Sequence, residues 1–236
     1  MVEWVEKEMK KKTDIMKKLK HLGRPDQLEG MARYGMRTEN RYGVSIPNIR
    51  EIAKETGKDH QLALQLWKTG ITDARILASM VDIPVHVTPE QMEEWVKDFD
   101  SWDICDQVCM NLFDKTAYVR KKITEWAEKE EEFVKRAAFA LIACLAVHDK
   151  SSPDTEFSVF FPLIQKAAAD ERNFVKKGVS WALRSIGKRS RELNRAALKF
   201  SEELSKKEGK VVAWIAADAF RDLTSKTTIK RLSRKP

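Results

Sequence analysis

Along most of the chain apolar residues recur every three or four positions, and strict alternation is scarce, so the pattern predicts helices rather than strands. An amphipathic stretch over roughly 3–22 ends at Gly23-Arg24-Pro25. Ser45-Ile46-Pro47 and Thr88-Pro89-Glu90 each put a capping residue before an early proline, which opens a helix. Ser101 is expected to cap the helix carrying Trp102 and Asp106, and Thr116 to stand near the start of the next. Connections are mostly short. The clearest longer interruption is HDKSSPDTEFS at 148–158, where Ser, Pro and Asp mark a loop.

Two helical patterns resemble each other. FVKRAAFALIACL at 133–145 and FVKKGVSWALRSI at 174–186 begin 41 residues apart, and AYVRKKITEWAEK at 117–129 and KVVAWIAADAFRD at 210–222 look like weaker relatives. A helical period near forty marks HEAT-like repeats, in which each helix pair buries its apolar stripe against its neighbours. The expected fold is therefore all-α: HEAT-like helical repeats stacked into a curved α-solenoid, an α-α superhelix. The chain reads as one such domain over 1–236, with a short basic tail at about 225–236.

Composition narrows the function. With 236 residues and 42% hydrophobic content the chain can build a sizeable core, and nine glycines and seven prolines are few for that length. Cys105, Cys109 and Cys144 are too few, and the histidines at 21, 60, 86 and 148 too scattered, for a zinc site; buried thiols are the expectation, with no metal and no cofactor. No secretory signal or bilayer-spanning apolar run is present, which points to a cytoplasmic, nucleoid-associated monomer with no membrane partner. The formal charge of +8 is unevenly placed: residues 171–236 hold 18 Lys+Arg against 7 Asp+Glu, a net +11, which leaves −3 for the rest. Clustered positive charge suits a polyanion such as nucleic acid, and on charge alone a solvated basic tail fits as well.

In SWDICD (101–106), Trp102 and Asp106 lie four apart and so share a helix face, an indole beside a carboxylate. Asp103 points about 100° away, near the helix N-terminus, where a negative charge favours the dipole. On spacing alone the plainer reading is preferred, Asp106 as a surface acid in an early turn and Trp102 as core filler. In the repeat comparison Trp181 stands where the first copy has Ala140, which means either a gap in the stack or an outward ring.

SWDICD, FVKRAAFALI (133–142) and FVKKGVSWALRSIGK (174–188), in this order, resemble the AlkD-like DNA alkylation-repair proteins, HEAT-like-repeat DNA glycosylases. RYGVSIPNIREIAKE (41–55) and LWKTGITDARILA (66–78) are similar to the N-terminal half of that family. The resemblance implies a glycosylase that hydrolyses the N-glycosidic bond of N3- or N7-alkylated purines in double-stranded DNA. It places the catalytic carboxylate on Asp106, the adjoining tryptophan on Trp102 and the second tryptophan on Trp181. It places a backbone-holding arginine on Arg136. The basic residues Lys176, Lys177, Arg184 and Lys188 of the same repeats are the expected DNA contacts. This chain departs from many members in having Ser101 before Trp102, where they carry a second tryptophan, and in its longer 148–158 loop. The alternative on the same fold is a non-catalytic scaffold that binds nucleic acid or protein, because a repeat fold does not fix function. No phosphate-binding glycine motif, Ser-His-Asp order or zinc signature supports another enzyme class.

Overall fold

The computed structural model describes residues 2–234, with side chains from Met9 onward. Among the described residues there are helices and turns and no strands. Packing divides the chain into two compact units, residues 1–117 and 118–236.

The first unit contains α1 (Val2–His21), α2 (Leu28–Arg33), α3 (Ile46–Thr56), α4 (His60–Trp67), α5 (Thr72–Val81), α6 (Pro89–Lys97) and α7 (Trp102–Asn111). The cap signals act as read in two places: Asn48 N–H donates to Ser45 Oγ at 3.4 Å, and Gln91 N–H to Thr88 Oγ1 at 3.2 Å. One does not: Ser101 precedes α7, but its hydroxyl donates to Asp103 Oδ1 at 2.7 Å and accepts no bond from the helix. Thr116 stands, as expected, just before the helix that begins at Val119, buried and with its hydroxyl donating to the Phe113 carbonyl.

Buried Ala74, Ile76, Leu77, Ala78 and Val81 make α5 the centre of this unit, packed by α3, α4 and α7. Beside it the rings of Trp67 and Trp95 stack at 3.9 Å between centroids, and Trp67 Nε1 donates to Asp98 Oδ2 at 2.8 Å, so this buried indole keeps its polar atom satisfied. Ile104, Cys105, Val108 and Cys109 form the buried side of α7, which is thereby seated on α5.

The second unit contains α8 (Val119–Ala127), α9 (Glu132–His148), α10 (Thr155–Ser158), α11 (Phe161–Ala167), α12 (Asn173–Gly187), α13 (Arg191–Ser205), α14 (Lys210–Leu223) and α15 (Lys226–Ser233). Its repeats are visible as an inner layer of α9, α12 and α14, with α8, α11 and α13 packed outside. The inner helices run parallel. Phe133 meets Phe174 near the two N-termini, at 5.5 Å between rings, and Arg189 reaches the Ala146 carbonyl near the two C-termini. The two FVK segments are therefore equivalent inner helices. Residues 117–129, taken as a further relative, are instead α8, the outer partner of α9. Gly187 lets α12, α13 and α14 converge, because a Cβ there would lie 2.6 Å from Leu223 Cδ2 and 3.0 Å from Ala197 Cβ.

Residues 226–233, read as part of a basic tail, form α15, anchored by buried Thr228 and Leu232. The 148–158 loop is held in place by Arg189. Its guanidinium lies 3.9 Å from the Phe157 ring centroid, donates to the Asp149 and Ser152 carbonyls, and pairs with Asp154.

Candidate functional site

Trp102 and Asp106 are half-buried on a common face of α7, one turn apart. The indole is oriented by a hydrogen bond from Nε1 to the Tyr34 carbonyl at 2.9 Å. Asp103, on the other side of the same turn, is not the helix-end surface charge that spacing suggested. It is buried and paired with buried Arg41, Nη2 to Oδ2 at 2.6 Å, with side-chain exposures of 12% and 4%. The correction follows from tertiary contact, since the partner lies 62 residues earlier.

Arg41 is delivered by a loop that α5 holds from below. Asp73 in the first turn of α5 accepts the backbone N–H groups of Tyr42 and Val44, both at 2.7 Å, and Thr72 N–H donates to the Asn40 carbonyl at 2.9 Å. The turn needs left-handed backbone at Asn40 (φ 55°) and Gly43 (φ 79°), which Asn and Gly tolerate best. Arg41 Nε has no hydrogen-bond partner, so the pair carries an uncompensated desolvation cost and owes its place to the positioning of α7 as much as to stability. Asp100, just before α7, has its carboxyl pushed above the ordinary range, first by desolvation and also by the Asp103 charge, with Arg37 opposing.

In the second unit Lys177, Trp181 and Arg184 on α12, with Lys188 capping its C-terminus, follow one another at i, i+4, i+7 and i+11 as a single stripe, with Lys177 exposed and the other three half-buried. Four of the expected residues are thus brought together. The sequence did not reveal the acids that hold two of them: Arg184 lies 3.4 Å from Asp218 and 3.2 Å from Asp222, and Lys188 also pairs with Asp222. The only available signal was that Asp218 and Asp222 share the four-residue spacing of Arg184 and Lys188. Lys176 turns toward α14, its ammonium 4.8 Å from the Trp214 ring centroid. Arg136 is placed differently from the expectation. Only 6% exposed, it donates from Nη1 to the Phe174 carbonyl at 2.6 Å, which ties α9 to the first turn of α12 instead of offering the guanidinium to a phosphate.

Cys105, Cys109 and Cys144 are buried, and no group of three or more metal-ligating side chains forms among the described residues. Nor, among them, is any helix long and apolar enough to cross a membrane.

The sequence model of the DNA alkylation repair enzymes matches residues 15–226, a span that includes both α7 and the α12 stripe. The chain belongs to the DNA alkylation repair enzyme family. Among solved structures it matches one described as a new family of proteins related to the HEAT-like repeat DNA glycosylases with affinity for branched DNA structures. That match has a TM-score of 0.79 and 16% identity over 94% of this chain and 96% of the other, so the likeness is one of fold. A designed armadillo repeat protein bound to a (KR)4 peptide aligns with a TM-score of 0.36 and 15% identity, over 79% of each chain. No curated protein sequence matches. The fold is thus all-α with HEAT-like repeats, and the family is that of DNA alkylation repair.

Proposed function

We propose that this protein is a DNA glycosylase that releases N3- and N7-alkylated purines from duplex DNA. The observation that carries this reading is the α7 face, where a carboxylate and an oriented indole stand one turn apart in a helix fixed by the buried Arg41–Asp103 pair. An alkylated purine is cationic, so its glycosidic bond is already weakened and departure leaves an oxocarbenium-like sugar. The Asp106 carboxylate stabilises that developing positive charge and orients a water at C1′, the same charge logic by which glycoside hydrolases act. As the water oxygen bonds to C1′, the C1′–N9 bond of a purine breaks, and its electron pair neutralises the cationic base. The water proton passes to the carboxylate. Trp102, one turn away, supplies an electron-rich face that favours cationic groups and excludes water, and Trp181 is proposed to offer such a face on the stripe of the second unit.

Lys177 and Lys188, with Arg184, are the proposed phosphate contacts in the second unit, and Lys176 supports them from beside Trp214. Arg136 acts one step back, by fixing the turn of α12 from which Lys177 projects. The substrate partner is double-stranded DNA, bound by a monomer without metal or cofactor.

The test is release of 3-methyladenine and 7-methylguanine from methylated DNA. Asp106→Asn keeps the side-chain shape and removes the charge. It is expected to slow release at least tenfold, equivalent to about 1.4 kcal/mol of transition-state stabilisation, with DNA affinity unchanged or improved. Full activity in that variant would remove Asp106 from the chemistry.

A second reading, DNA binding without catalysis, is favoured by the branched-DNA affinity of the structural neighbour. Tight DNA binding with no base release by the unmodified protein would establish it.

A further inference from the structure

The exposed stripe of α12 is repeated on α14. Lys177, Trp181, Arg184 and Lys188 are matched, at the same four helical positions, by Lys210, Trp214, Ala217 and Arg221. Each of these two helices thus offers lysine, then tryptophan one turn later, then a basic residue two turns beyond. The two helices are parallel neighbours locked in register: Lys176 lies over Trp214, Ser180 Oγ donates to Asp218 at 2.7 Å, and Arg184 reaches Asp222. Trp214 is 39% exposed, and the four α14 positions are all on the surface.

A large indole left this open has no packing reason to be there. Leucine or alanine would serve a solvated face, and neighbouring Ala213 and Ala217 show that small residues suffice on this side of the helix. The segment that carries it is basic: residues 210–234 hold six Lys/Arg and two Asp. Both acids are already engaged, Asp218 by Arg184 and Arg221 and Asp222 by Arg184 and Lys188. The positive charge of Lys210 and of Lys226, Lys230, Arg231 and Arg234 on and after α15 is left for an external anion.

We infer that the α14 stripe is a second nucleic-acid site, in which Trp214 stacks an unpaired base while Lys210, one turn before it, holds an adjoining phosphate. Charge complementarity selects a polyanion, and the part of the indole that Lys176 leaves open selects one with an uncovered aromatic face. In a duplex each base is covered by its neighbours, so only an unpaired strand can stack on a side chain without prior unstacking. The inference rests on the second unit facing nucleic acid, and not on base release.

Binding is read by fluorescence anisotropy on two labelled probes, a blunt duplex and the same duplex with an oligo(dT) tail. The unmodified protein is expected to prefer the tailed probe. Trp214→Ala should cost at least about fivefold on the tailed probe and leave the blunt one unchanged, and Trp214→Phe should restore most of the loss. Lys210→Ala should lower the salt slope on the tailed probe by about 0.7, whereas Trp214→Ala should leave it unaltered. Thermal unfolding of the variants checks that the fold survives, and base release from blunt methylated duplex should be the same for Trp214→Ala and the unmodified protein. Equal affinity of Trp214→Ala and the unmodified protein for the tail overturns the inference, as does an equal loss on both probes. Loss of a self-associated species in Trp214→Ala, with tail affinity intact, gives the stripe to a protein partner and overturns it too. Failure of base release with tail preference intact strikes only the glycosylase reading. Failure of the unmodified protein to bind either probe removes both.

Discussion

Truncating Asp103 to alanine leaves the Arg41 guanidinium in a site where its side chain is 4% exposed, with no carboxylate opposite. Water screens little there, because Asp103 itself is only 12% exposed before the change. Removing one partner of a buried pair costs about 3–5 kcal/mol, most of it the desolvation of the charge that remains. Spread over a chain of 236 residues, at about 2–4 °C per kcal/mol, the melting temperature should fall by on the order of 10 °C. Thermal unfolding followed by circular dichroism at neutral pH measures this directly. The paired replacement Arg41→Met with Asp103→Leu removes both charges at once and should recover most of the loss, since an apolar pair of similar volume has no ion to desolvate. Asp106→Asn, three residues along the same helix but half-exposed, should stay within about 0.5 kcal/mol of the unmodified protein. A loss below about 1 kcal/mol in Asp103→Ala, or a paired variant no more stable than the single one, would refute the account of how α7 is fixed.

Lys177→Ala should weaken binding to damaged and undamaged duplex equally and lower the slope of log affinity against log salt by about 0.9, because the exposed ammonium contacts phosphate and carries no lesion information. Lys176→Ala should change the slope less, its ammonium being held over Trp214, and equal slopes for the two variants would contradict that placement. Asp149 closes the α9 end of the loop, and hydrogen bonds from Ser152 first, then Ser151, hold its carboxyl well below the usual range. A depressed carboxylate stabilises the fold above its unfolded pKa of about 3.9, and that contribution is lost as pH falls toward the folded value. Asp149→Asn should therefore unfold sooner at neutral pH and lose less further stability on acidification below about pH 4; parallel acid-unfolding curves would count against it.

Much of the candidate site's geometry was legible because it is written in helical spacing. Trp102 with Asp106, and Lys177 through Lys188, share faces that follow from counting positions along one helix, and the 41-residue offset correctly paired α9 with α12. The same counting misjudged what a local pattern does not contain. Arg136 looked like a basic residue open to phosphate, yet it lies inside the α9–α12 contact, and residues 117–129 had inner-helix periodicity but sit in the outer layer. Amphipathic spacing says that a helix has a buried side, and is silent on which helix covers it.

The amino-acid sequence by itself therefore determined the helical content, the caps at Ser45 and Thr88, the repeat and the charge asymmetry, all properties of short segments or of sums over them. Only the tertiary structure decided that Asp103 is buried against Arg41, that Asp73 holds the loop bearing that arginine, and that Asp218 and Asp222 restrain half of the α12 stripe. These contacts join residues between 29 and 62 positions apart, whose meeting depends on how helices stack. Once water is excluded there, a charge that would cost nothing on the surface becomes stabilising only through the partner the stack brings to it.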